Sequence, residues 1–272
     1  MIFRILGPLE IHGVIRSGPP VRRALLTAFL LRGGQSIGIG ELAALLWDNP
    51  PLSATANIRS HLTGLRRDLD DATPGLGRRI TTYRGGQVSY RLSLSADECD
   101  LTCFTRMVRH GRSRLLQGDA EQAATVLEEA LALWRGPFGG DLPDTRWFAA
   151  HAAGLNSARF LAYESLFSAC LLANRTEMLA YRIETALAEA PYRQRLWELL
   201  AAVHCVEGDA AGALEAIRRC QDLFADDLGL DLPPNVDAMR MAALRWDPAE
   251  AVRLVATGMP HTEPESALSR AS

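Results

Sequence analysis

The side chains best equipped for chemistry in this chain are an amide, four hydroxyls and three guanidinium groups gathered in residues 53–71, SATANIRSHLTGLRRDLDD. Within it Ile58, Leu62, Leu65 and Leu69 recur at i, i+4, i+7 and i+11, the apolar stripe of a helix buried on one side. At about 100° per residue the opposite face then carries Ala56, Asn57, Ser60, Thr63 and Arg67, with Arg59 and Arg66 on one flank and Thr55 at the start. An amide suits the edge of adenine, guanidinium forks suit guanine or phosphate, and small groups permit close approach. This is the chemistry of a helix lying in a DNA major groove. A plain surface helix with its arginines in water shows the same pattern, so the neighbouring elements must decide between them.

Those neighbours predict a compact frame. Residues 2–11 read as a strand broken at Gly7-Pro8, and His12-Gly13 turns the chain back through Val14 and Ile15. Residues 21–32 form a first helix stopped by Gly33-Gly34, residues 36–39 a short extended link, and residues 40–47 a second helix ended by Asn49-Pro50-Pro51. Ser53 caps the third helix. After Pro74-Gly75, residues 80–83 and 88–92 pair across Gly85-Gly86 as a β-hairpin bearing Arg78, Arg79, Arg84 and Arg91, with Thr81 on its first strand. Strands, three helices and a hairpin make a winged helix, in which the third helix enters the major groove and the hairpin lies against the backbone beside it. The expected DNA-contacting residues are Thr55, Asn57, Arg59, Ser60, Thr63, Arg66, Arg67, Arg79, Thr81 and Arg84.

Charge agrees with that assignment. Residues 1–95 hold twelve arginines and six acids, a net +6, while residues 96–272 hold seventeen arginines against twenty-six acids, a net −9. Basic charge confined to one part of a chain is the footprint of a polyanion partner. There is no lysine, which removes P-loop, Schiff-base and Ser-Lys chemistry. The histidines are scattered singly, and the five cysteines include no CxxC pair, so they read as reduced packing residues and not as a metal set. No catalytic constellation, metal site or cofactor site is expected. Without an eighteen-residue apolar run or a signal peptide, the expectation is a cytoplasmic, nucleoid-associated protein with no membrane contact.

The motifs FRILGPLEI, RRALLTAFLLRGG, ELAALLWDNPP, HLTGLRRDL and RRITTYRGG resemble, in order, the N-terminal OmpR-type domain of the Streptomyces antibiotic regulatory proteins, the SARP activators. Two departures stand out. Gly64 replaces a customary arginine, removing a possible phosphate contact and adding a helix-weakening residue that costs about 1 kcal/mol against alanine. The wing, from Gly85 to Leu92, is longer than the family's usual short closure.

The rest of the chain repeats itself. Gly118-Asp119-Ala120-x-x-Ala123 recurs as Gly208-Asp209-Ala210-x-x-Ala213, and Asn174 lies thirty-four residues before Gly208, the tetratricopeptide period. The expected architecture is mainly α: a winged helix-turn-helix domain at 1–95, an all-α tetratricopeptide-like domain at 96–248, and a disordered tail at 249–272. Residues 100–104 (DLTCF), 130–137 (ALALWRGP) and 188–200 (AEAPYRQRLWELL) resemble landmarks of the bacterial transcriptional activation domain of the same family. The resemblance implies a pathway-specific activator of an antibiotic gene cluster. Such a protein binds direct repeats near a promoter's −35 element as a homodimer and engages RNA polymerase holoenzyme. A repressor, or a protein–protein adaptor, with this architecture carries the same residues.

Overall fold

The structure, a computed structural model, describes residues 1–12, 14–15 and 18–258; Gly13 of the expected turn and the prolines at 260 and 264 lie outside them. Contacts along the chain separate two compact units, residues 1–110 with 128–159, and residues 111–127 with those from 160 onward.

In the first unit β1 (Phe3–Arg4), β2 (Glu10–Ile11) and β3 (Val14–Ile15) form an antiparallel sheet in that order, with Phe3 opposite Ile11 and Glu10 opposite Ile15. Then come α1 (Pro20–Leu31), β4 (Ile37–Gly38), α2 (Ile39–Leu46), α3 (Ala54–Ala72), a 3-10 turn (Gly77–Arg79), β5 (Ile80–Gly85) and β6 (Gln87–Leu92). Proline in the first turn of α1 suits a position whose N–H has no helical partner. The expected link at 36–39 is the third strand of the wing: Ile37 pairs with Tyr90, giving the sheet order β4-β6-β5. A two-residue strand is too short to display its period in sequence. Ile58, Leu62, Leu65 and Leu69 are all buried, in one core with Leu25, Phe29, Leu42, Ile80 and Leu92.

This core continues beyond residue 95. The amides of Ile2 and Phe3 donate to Glu98 O at 2.9 and 2.8 Å. Asp100, wholly buried at the start of α4 (Asp100–Leu116), accepts from the amides of Ile5 (2.8 Å), Leu6 (3.0 Å) and Leu101 (2.8 Å). Arg135 donates its amide to Leu6 O at 2.9 Å and its guanidinium to Pro8 O and Glu10 Oε1, both at 2.7 Å. Gly7 makes this approach possible: its φ is +123° and a Cβ there would press on Arg135 Cβ at 3.1 Å. Phe138 and Phe148 complete the core.

The second unit takes in the end of α4, the start of α5 (Ala120–Leu131), most of α6 (Arg146–Leu172), and α7 (Leu179–Glu189), α8 (Gln194–Val206), α9 (Ala210–Leu228), α10 (Pro234–Leu244) and α11 (Pro248–Thr257). Four of its turns share one form. Gly118, Asn174, Gly208 and Trp246 take positive φ, and the next residue's amide bonds back to Arg114 O, Cys170 O, His204 O and Ala242 O, closing each preceding helix. Asp209 and Asp247 then cap the following helices by accepting from Gly212 N and Glu250 N. The thirty-four-residue spacing of Asn174 and Gly208 is thus a repeat of hairpin turns, and Trp246 adds a further one. The stretch expected as a tail accordingly starts with a helix, because Asp247 caps it and Ala251 and Val255 are buried. No described helix is long and apolar enough to cross a membrane.

Asp100→Ala leaves two buried amides without acceptors and is expected to lower stability by about 3 kcal/mol. Chemical denaturation reads it, and an unmoved midpoint would contradict the role given to this carboxylate.

Candidate nucleic-acid interface

The helix α3 turns Thr55, Ala56, Asn57, Arg59, Ser60, Thr63 and Arg67 outward, all exposed. Ser53 stands before it but does not cap it through its side chain; its Oγ accepts instead from Asn57 Nδ2 at 3.2 Å. Thr63 Oγ1 donates to Arg59 O at 3.0 Å, leaving its methyl group and oxygen at the surface. Among the described residues Arg59, Arg67 and Arg84 form no ion pair or side-chain hydrogen bond with the protein. They are three free cations on the helix face and the wing.

Two expected contact residues are otherwise engaged. Arg66 is half-buried; its Nε and Nη2 donate to Ile80 O at 3.2 and 3.0 Å, and Nη2 also to Thr82 Oγ1 at 2.9 Å. It straps α3 to β5. Arg79 grips Glu98, Nη1 lying 2.7 Å from each carboxylate oxygen. That bond, with a second from the Ser95 amide, holds the Glu98 carboxyl below its ordinary value. Neither arginine is a free fork. The turn between α3 and the wing is equally constrained: a Cβ on Gly77 would strike Arg66 O, and the Gly77 amide donates to Asp70 Oδ1 at 2.8 Å.

Gly64 has a different role from the one its departure from the family pattern implied. It is buried and faces α1, where a Cβ would meet the Arg22 guanidinium. That guanidinium bonds both oxygens of Asp68 at 3.1 Å. The glycine makes room for an ion pair between α1 and α3, so its position offers no phosphate contact to lose. Arg22 also bears on His61, whose pKa is lowered first by partial burial and then by this charge, leaving a neutral ring at pH 7. The longer wing is extra ladder: β5 and β6 pair as far as Gly85 and Gln87, with Gly86 alone at the tip at φ +56°.

The wing also presents residues outside the expected set. Thr81 is opposite Arg91, and Tyr83 follows two residues along β5 on the same face. Bonds from Thr81 and, less strongly, Arg91 keep the exposed Tyr83 phenol below its usual range. Cross-strand register, which could have linked Tyr83 to Arg91, emerges only once the hairpin's pairing is fixed.

Residues 99–244 match the family described as the bacterial transcriptional activator domain. Over 259 residues the chain is 32% identical to the transcriptional regulatory protein EmbR of Mycobacterium tuberculosis, covering 94% of this chain and 66% of EmbR. The chain belongs to the SARP family of transcriptional regulators. Another SARP relative, the transcriptional regulatory protein MoaR1 of the same organism, is 28% identical over 253 residues, 91% of this chain and 80% of MoaR1. A solved structure of Mycobacterium tuberculosis EmbR in complex with a low affinity phosphopeptide superposes with a TM-score of 0.82 at 31% identity, over 94% of this chain and 69% of that one. The winged helix and helical domain are thus shared with EmbR, and the chain spans only about two-thirds of that relative's length.

The Arg79–Glu98 pair yields a pH test. A carboxyl depressed in the folded state contributes stability above its ordinary value of 4.5, and that contribution is lost as pH falls through its lower, folded value. Glu98→Gln is therefore expected to melt below the parent at pH 7 and to converge with it in acid. A gap that persists there would exclude the ion pair as its source.

Proposed function

We propose that this chain is a sequence-specific transcriptional activator that binds duplex promoter DNA through α3 and the wing. The observation that carries the reading is the set of free cations, Arg59, Arg67 and Arg84, arrayed with Asn57, Ser60, Thr63 and Thr55 on an exposed helix and the neighbouring hairpin. The net +6 of residues 1–95 supports it, since counterion release from phosphate favours binding wherever cations are unpaired. Asn57 and Arg59 are assigned to base edges, and Arg67 and Arg84 to phosphate. Arg66 and Arg79 act by holding the wing in place, and Thr81 by ordering its face.

The finer reading draws on the family. The chain acts at direct repeats near a −35 element, as a homodimer on DNA, recruits RNA polymerase holoenzyme through its helical domain, and controls an antibiotic or other secondary-metabolite gene cluster. Its place is the cytoplasm, with the nucleoid.

Titration onto the upstream regions of neighbouring genes, against random duplex and at two salt concentrations, tests the proposal. Protection of spaced repeats that survives competitor is expected, and its abolition by competitor would leave charge without readout. Arg67→Ala and Arg84→Ala should each reduce the salt slope by about 1, as loss of one phosphate contact does. Arg79→Ala should weaken binding without changing the slope. Equal slopes for all three variants would refute the division of roles.

A further inference from the structure

The helices α4, α6 and α8 each lead into one of the hairpin turns of the second unit, and a small open cavity lies where the three meet. Its apolar wall is the buried Leu115 with Leu116 and Leu161, which are 46% and 41% exposed. Behind it Arg193 bonds Glu164 at 2.8 Å and Arg195 bonds Glu198 at 2.7 Å, so these four charges cancel. Arg112 is left over. It is half-buried in the cavity wall, and among the described residues it forms no ion pair or hydrogen bond. Residues 111–127 and 160–272 hold twelve arginines against nineteen acids, a net −7, so carboxylates are plentiful in this unit and yet none answers Arg112.

A second group lining the cavity is also unanswered. Ser168 is only 2% exposed, and its Oγ accepts from Arg195 Nη2 at 3.3 Å. Among the described residues nothing accepts the Ser168 proton. The neighbouring Ser165 has already given its own to Leu161 O at 2.9 Å. A buried hydroxyl donor calls for an acceptor, and an unpaired guanidinium calls for a negative one.

We propose that this cavity binds the carboxylate of a ligand with a short branched aliphatic body, Arg112 and the Ser168 hydroxyl donating to its oxygens while the body covers Leu116 and Leu161. The cavity volume, about 30 Å³, has room for about two water-sized atoms. That fits the two oxygens of a carboxylate and not the tetrahedral bulk of a phosphate. A cationic headgroup is repelled by Arg112, and a neutral amide leaves its charge unmet. The exposed leucines select an aliphatic body, since covering them removes apolar surface from water. A free acid and the C-terminal leucine of a peptide share this chemistry.

Isovalerate and the tripeptide Gly-Gly-Leu are the probes, each titrated onto the full chain and followed by backbone amide NMR shifts, a readout that does not depend on DNA. Saturable shifts confined to residues around 112–116 and 161–168 are expected. Isovalerate alone producing them would identify a free acid as the ligand, and the tripeptide alone a chain terminus. The corresponding amides, isovaleramide and Gly-Gly-Leu-amide, should bind about tenfold more weakly, and so should the acids to Arg112→Gln. Ser168→Ala, which keeps the guanidinium and removes the donor, should weaken binding by a smaller factor. Absence of saturable shifts with both acids, equal binding of acid and amide, or undiminished affinity in Arg112→Gln would leave the cavity to ordered water and overturn the proposal.

Discussion

A carboxylate taken out of water must have its lone pairs answered or surrender its charge. Asp100 is fully buried and meets that demand with three backbone amides and the nearby charge of Arg135, 3.9 Å from Oδ2. Burial still pushes its pKa above the ordinary value, against the pull of these partners. Two of the amides belong to the end of the first strand and the third to the first turn of α4, so one side chain fixes where β1 stops and where α4 starts. Arg135 closes that junction from the other side, bonding Pro8 O and Glu10. The same charge bears on Cys99, whose thiol is pushed up to about 12, chiefly by burial, and is inert.

The second unit is organised by turn stereochemistry. Each closing residue leaves its helix in the left-handed conformation, for which glycine and asparagine are suited, and three of the four turns use them. At three of them an aspartate after the turn, Asp119, Asp209 or Asp247, then caps the next helix. That pairing of a permissive residue with a capping one is visible in sequence at Gly118-Asp119 and Gly208-Asp209. Trp246-Asp247 is the same device with an indole where a glycine is expected, so α11 could not be seen ahead of the fold. In the folded chain the backbone bonds of residues 246 and 247 to Ala243 O and Ala242 O hold the tryptophan there.

What could be read from the sequence was periodicity, and what could not was partnership. The stripe of Ile58, Leu62, Leu65 and Leu69 located the buried side of α3, and its outward face followed correctly. A helical wheel assigns a residue to a face without saying what waits across the gap. Gly64 faces Arg22 from another helix, Arg66 reaches fourteen residues on to Ile80 O, and Arg79 finds Glu98 nineteen residues away. Each is an arginine contact set by tertiary approach, and each changes what the local pattern implied. Tyr83 escaped notice for the same reason, since its neighbour Arg91 comes from the other strand.

The strap from Arg66 to β5 and the close approach at Gly77 tie the wing to the end of α3. On the proposed reading, the helix and hairpin then act as a caliper whose opening that tie sets. A duplex of mismatched groove width must itself deform to seat both, and the cost depends on how stiff its base steps are. Selectivity would thus extend to positions that no side chain touches.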